Sequence, residues 1–227
     1  MRVPRGMTKS RLEAFSDGVI AVIITIMVLE IKVPHGDDLD SLVELCPKVL
    51  GYVLSFVYVG IYWNNHHHLM HAATRIDGRV MWANLHLLFW LSIVPMTTGW
   101  VGEHPSTPWP TAVYGFALLM SGVAWLVLQQ ALIACNGGKD SALAKAIGRD
   151  MKGNASAVLY LTAIGLAFVR TWLSDVLFAC VAMMWLVPDR RIESTLLGEQ
   201  AEGGARADAE PVEQVDQEEQ REPGGAS

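Results

Sequence analysis

The chain has 227 residues, 52% of them hydrophobic and 18% charged, which is too apolar for an ordinary soluble domain of this length. Its formal charge of -6 is concentrated: residues 199–227 hold nine acids against Arg206 and Arg221, a net -7 that leaves the rest of the chain at +1. Cys46, Cys135 and Cys180 are scattered and odd in number, without CxxC spacing, so no disulfide framework or metal site follows from them. There is no catalytic triad pattern, Gly-rich phosphate loop or nucleic-acid surface either, so the chain is expected to be no enzyme and to need no cofactor.

Apolar segments of membrane-spanning length recur along the chain, about 20 residues being enough to cross a bilayer as a helix. The first, Arg11 to Pro34, reads RLEAFSDGVIAVIITIMVLEIKVP, with Asp17 and Glu30 bracketing a Val- and Ile-rich centre. Its basic approach (Arg2, Arg5, Lys9, Arg11) resembles a signal peptide, but Asp17 inside the run and the Glu-Ile-Lys ending mark a retained helix. Arg11, Phe15, Gly18, Val22, Thr25 and Leu29 recur every four then three residues and so share one narrow helical stripe. Such a stripe serves either as a seam within the subunit or as a face turned to a shared axis.

Pro34 to Lys48 is acidic and turn-rich, and reads as an extramembrane loop or short surface helix. A second span runs from about Val49 to Ala73 and turns polar midway, at NNHHHLMH. A third, about Val80 to Trp100, is interrupted by Asn84, His86 and Pro95; a fourth follows from about Thr111 to Ala134. Asn136 to Lys152 is a polar connection with a Gly-Gly helix stop and a short amphipathic helix over Ser141 to Ile147. A fifth span, about Asn154 to Val169, and a sixth, about Trp172 to Val187, form a tight hairpin around Arg170 and Asp175. From about Gly198 the composition is too polar to bury a core and predicts disorder.

Six spans place both termini on one side. That side carries twelve basic residues (Arg2, Arg5, Lys9, Arg11, Arg75, Arg79, Lys139, Lys145, Arg149, Lys152, Arg190, Arg191) against three (Lys32, Lys48, Arg170) on the other, which makes it cytoplasmic. The expected architecture is an all-α integral membrane protein, with a six-helix transmembrane domain over residues 1–197 and an acidic cytoplasmic tail over 198–227.

Asp17 inside a span demands a partner or a wet cavity, and Arg11 is near enough in sequence to help satisfy it; alternatively Ser16 and Asp17 cap a helix start. The histidine cluster His66, His67, His68 and His71 includes a pair, His67 and His71, on one helical face. Two ligands are too few for a closed zinc site, and hydrogen bonding of the imidazoles and Trp63 to Ser16 and Asp17 is the favoured reading. A titrating imidazole in such a network would sense pH. Negative charge at Glu30 and Asp37 to Asp40 would concentrate cations at the outer mouth.

RLEAFSDGVIAVIITIMVLEIKVP, followed by Trp63-x-x-His66-His67 and closing with WLVPDRRIE, resembles the bacterial members of the TMEM175 family of potassium channels over about residues 8 to 194. The resemblance implies a six-helix subunit assembling as a homotetramer in the bacterial inner (plasma) membrane, with first helices around a central pore. It implies an apolar constriction about five residues after the motif's Asp, with a Thr one turn on and a second apolar ring beyond; these positions are Val22, Thr25 and Leu29, Val22 standing where family members carry Ile or Leu. It also implies that Arg11, Phe15, Ser16, Asp17, Trp63, His66 and His67 form a structural network. The implied partners are other copies of the chain, the lipid bilayer and monovalent cations, with K+ as the permeant ion. A proton- or cation-coupled secondary transporter and a non-conducting scaffold are the rival readings.

Overall fold

A computed structural model describes residues 8–34, 36–148 and 150–186. The basic start before Thr8, the end of the closing WLVPDRRIE element and the tail assigned to 198–227 lie outside the described residues. Seven α-helices are present among them: α1 Lys9–Leu29, α2 Leu39–Ala72, α3 Gly78–Glu103, α4 Pro108–Cys135, α5 Ala142–Ile147, α6 Met151–Ala167 and α7 Thr171–Leu186.

Four of these, α1 to α4, are long and apolar enough to cross a membrane. Helices α6 and α7, with 17 and 16 residues, reach about 26 and 24 Å, short of a hydrocarbon core of about 30 Å. They form the expected hairpin, turning at residues 168–170. The surface segment over Pro34 to Lys48 differs from expectation. Asp38 caps a helix by accepting from the Ser41 amide at 3.0 Å, and that helix runs without interruption through Pro47 into the second span. Pro47 removes one amide, and the residue whose carbonyl loses its partner, Val43, is exposed. With 34 residues, α2 measures about 51 Å, so its first turns project beyond a hydrocarbon core.

Two cores hold the bundle. In the first, Leu12, Ile20, Ile23 and Met27 of α1 pack with Val59 and Met70 of α2, Leu87 and Leu91 of α3, and Leu128 and Leu132 of α4. In the second, Tyr58 of α2 meets Tyr114 and Leu118 of α4, Tyr160 of α6 and Phe178 of α7. Gly115 of α4 permits this close approach, since a β-carbon there would lie 2.8 Å from Phe178 Cζ. Polar side chains bind the helices where lipid offers them no partner. Tyr58 Oη donates to the Phe178 carbonyl at 2.6 Å, Ser174 Oγ donates to the Ala163 carbonyl at 2.7 Å, and a hydroxyl chain runs Thr98–Ser55 (2.7 Å) to Tyr114 (3.0 Å) across α3, α2 and α4.

At one end of the bundle Asn136, just past α4, clips the α2–α3 turn. Its Oδ1 accepts from the Thr74 amide, the Thr74 hydroxyl and the Arg75 amide, while its Nδ2 donates to the Arg75 and Leu132 carbonyls. Gly137 and Gly138 then adopt φ of 110° and 76°, which ends α4, and Ser141 caps α5. At the other end Lys32 Nζ lies 2.7 Å from Glu103 Oε1, joining the segment after α1 to the end of α3. The Glu103 carboxylate raises the Lys32 pKa above its ordinary value by hydrogen bonding and charge.

Candidate functional site

Helix α1 has two faces, about 140° apart around its axis. Leu12, Ser16, Ile20, Ile23 and Met27 are buried inside the subunit, while Arg11, Phe15, Gly18, Val22, Thr25 and Leu29 are all exposed. Val22 is 54% exposed and Leu29 76%. The predicted stripe is therefore not a seam within the subunit. A groove of about 580 Å³ runs beside it, walled by Phe15, Val22 and Ile26 of α1 and by Pro95 and Met96 of α3. Glu30 closes its far end, lying against Gly99, where a β-carbon would meet Glu30 Oε2 at 2.8 Å.

Thr25 Oγ1 donates to backbone carbonyls of its own helix, Val22 at 2.9 Å and Ala21 at 3.1 Å. A hydroxyl whose hydrogen is engaged this way presents oxygen lone pairs outward, the negative end of its dipole.

The buried face is fixed by a chain of side-chain bonds. Ser16 Oγ donates to the Leu12 carbonyl at 2.8 Å, Asn84 Nδ2 donates to Ser16 Oγ at 2.8 Å, and His66 Nε2 lies 2.8 Å from Asn84 Oδ1. The roles determine one another. Because the Ser16 hydrogen is on Leu12, its oxygen can only accept, so the Asn84 amide nitrogen faces it. The Asn84 oxygen then faces His66, whose Nε2 must carry the hydrogen. Ser16, His66 and Asn84 are at most 1% exposed, so α1, α2 and α3 are joined by polar groups with no water to substitute for one another.

Asp17 is bound separately, its Oδ1 accepting from Trp63 Nε1–H at 3.1 Å. Among the described residues His67 makes no side-chain hydrogen bond. Its ring stacks between Trp63 and His71, 6.3 Å from each centroid. No group of three His, Cys, Asp or Glu side chains is placed to hold a metal among the described residues.

Two expectations change and a third becomes specific. Arg11 is exposed, and no ion pair joins it to Asp17 among the described residues; the indole takes that position. Ser16 and Asp17 do not cap a helix start, because α1 begins at Lys9 with Thr8 before it, about two turns earlier. Asn84, which the sequence offered only as an interhelical hydrogen-bond partner, is the centre of the buried network. Its signal was a lone amide in the apolar run VMWANLHLLFW, where an unpaired amide would be costly.

Helices of spanning length and one first helix bonded on one face and bare on the other define a polytopic membrane protein. The family described as "Endosomal/lysosomal potassium channel TMEM175" matches residues 11–95. A potassium channel of Chryseobacterium sp. (strain P1-3) is 48% identical over 190 residues, 84% of this chain and 98% of the relative. One from Chamaesiphon minutus is 31% identical over 189 residues, 77% of this chain and 91% of that one. The crystal structure of a lysosomal potassium-selective channel TMEM175 homologue from Chamaesiphon minutus superposes with a TM-score of 0.70 at 30% identity, over 79% of this chain and 96% of that one. The chain belongs to the TMEM175 family.

Proposed function

We propose that the chain is a subunit of a homotetrameric, potassium-permeable channel of a bacterial inner membrane, passively conducting and without enzymatic activity. The observation that carries this reading is the exposed stripe Phe15–Gly18–Val22–Thr25–Leu29, on a helix whose opposite face is buried and hydrogen-bonded. Lipid gains nothing from a stripe with this period, whereas a shared axis uses it. Six crossings, with α6 and α7 as the short last pair and both termini cytoplasmic, agree with the lopsided distribution of basic residues.

Around such an axis Val22 and Leu29 form apolar rings that disfavour water and raise the barrier to a hydrated ion, a gate that works by dewetting. Between them Thr25 turns lone pairs toward the ion, replacing part of its hydration shell. That exchange favours the more easily dehydrated K+ over Na+. Opening widens the rings by movement of α1. The Ser16–Asn84–His66 and Asp17–Trp63 bonds hold the cytoplasmic end of α1 in place.

The test is reconstitution of the purified protein in liposomes. Passive flux that follows the K+ gradient and a tetramer mass in native mass spectrometry are expected. Saturable, proton-coupled uptake would make it a secondary transporter, and silence toward every monovalent cation would make it a scaffold.

A further inference from the structure

A second internal space lies away from α1, among α2, α4, α6 and α7. It holds about 50 Å³ and is walled chiefly by aromatic and aliphatic side chains, including Tyr62, Trp125 and Trp185. Trp125 is 6% exposed, and its Nε1–H is fully buried with no hydrogen-bond partner among the described residues. Two of the hydroxyls lining the crevice are already engaged, while that of Tyr62 also faces it. Ser156 Oγ accepts from Trp185 Nε1 at 2.8 Å and donates to the Lys152 carbonyl, and Tyr58 donates to Phe178. An orphaned indole donor in a membrane core is costly, and native structures rarely leave one unanswered.

Size and position restrict what answers it. The volume is that of one or two waters, or of a head group of a few atoms. The crevice extends past Val123, which is 38% exposed on the outer surface of α4, so a tail has a way out. It lies beside Gly153 in the first turn of α6 and Trp185 in the last turn of α7, with Lys152 Nζ 5.9 Å over the Trp185 ring. A Trp near a helix end characteristically places its N–H where a bilayer changes from hydrocarbon to oxygen-bearing groups. Gly122 keeps the wall open, since a β-carbon there would meet only the Tyr62 hydroxyl, at 3.8 Å.

We propose that this crevice binds an uncharged oxygen-bearing group of an amphiphile from the bilayer, its acceptor oxygen on Trp125 Nε1–H and its alkyl tail leaving past Val123. The acceptor is either a lipid ester carbonyl or a small alcohol, which share this chemistry. The site is separate from the pore and does not depend on conduction.

The full chain, labelled with 15N at the indole nitrogens and placed in ether-lipid nanodiscs, tests this directly. The Trp125 signal is assigned by its loss in Trp125→Phe. Titration with 1-hexanol should shift it downfield and saturate, while hexane, lacking the oxygen, should leave it in place. Gly122→Val, which fills the crevice, should weaken the apparent affinity by about tenfold or more; if that variant does not fold, Gly122→Ala should weaken it less but in the same direction. In ester-lipid nanodiscs, a signal already downfield and slow to respond to hexanol identifies the lipid carbonyl as occupant, which supports the proposal. A shift that does not saturate, an equal response to hexane, insensitivity to both Gly122 variants, or a cross-peak to water that hexanol leaves unchanged would each overturn it.

Discussion

The side-chain amide of Asn84 donates to Ser16 Oγ at 2.8 Å, one α3 residue fixing the orientation of a hydroxyl on α1. Asn84→Ala leaves the His66 Nε2–H buried without an acceptor and Ser16 without its donor, so thermal unfolding in detergent should show a loss of about 2–4 kcal/mol. Asn84→Asp is the sharper variant. It offers an oxygen to Ser16, whose only hydrogen is on Leu12, and should be no more stable than the alanine form. Wild-type stability for Asn84→Asp would mean the amide orientation is the reverse.

Trp63 and Asp17 should couple in a double-mutant cycle. Trp63→Phe keeps the ring and removes the donor, Asp17→Asn removes the charge, and the interaction energy should be about 1 kcal/mol because both groups are partly exposed. Arg11→Gln should show no coupling to Asp17 beyond about 0.3 kcal/mol. A large Arg11–Asp17 coupling would restore the ion pair that the sequence suggested.

On the exposed stripe, substitutions should change flux without unfolding the subunit. Val22→Asn or Val22→Cys should raise cation leak in liposomes, by on the order of tenfold for the asparagine, equivalent to about 1.4 kcal/mol of barrier. Thr25→Val keeps the shape and removes the lone pairs, and should lower the preference for K+ over Na+. Unchanged flux and selectivity in all three would move the constriction elsewhere.

Two glycines should respond oppositely to the same change. At Gly115 a β-carbon would lie 2.8 Å from Phe178 Cζ and 3.0 Å from Ile164 Cγ1, so Gly115→Ala should cost about 1–3 kcal/mol by overpacking. Gly165 has nothing within 4 Å of that position and lies inside α6, so Gly165→Ala should be neutral or stabilising by up to about 1 kcal/mol. Melting temperatures of the two variants under one condition decide the comparison.

Asn136 uses both ends of its amide, which makes its variants separable. Asn136→Ala should loosen the α2–α3 turn and cost about 1–2 kcal/mol, whereas Asn136→Asp keeps the three acceptor bonds to Thr74 and Arg75 and should cost about half as much. Hydrogen exchange at the Thr74 and Arg75 amides reports the loosening directly, and equal protection in both variants would show that the clip is dispensable.

Much of the bundle was legible because its signals are local. Apolar runs located the long helices, Gly137 and Gly138 marked the stop after α4, Ser141 announced α5, and Arg170 with Asp175 placed the last hairpin. The stripe on α1 was visible as a period, but whether it faced a neighbouring helix or solvent was not, because a repeat does not say what lies opposite. The continuity of α2 was missed since Pro47 and four acids read as a loop or a separate short surface helix, while the Asp38 cap and an exposed position let one helix run through. Asn84 read as an interhelical hydrogen-bond partner with no partner named, and Asn136 as part of a polar connection. Their roles depend on partners distant in sequence, Ser16 in one case and Thr74 and Arg75 in the other, which only packing brings near.

Ser16 and Asp17 are neighbours in the chain and so stand about 100° apart around α1. One is held by α3 through Asn84 and the other by α2 through Trp63. Two tethers at different azimuths on adjacent residues oppose axial torque, so rolling α1 in place strains at least one of them. Tilt or bending beyond the tethered turn leaves both intact. These tethers therefore fix the bearing of the base and not the inclination of the helix, while the far end is held by other means, the burial of Met27 and the Lys32–Glu103 ion pair.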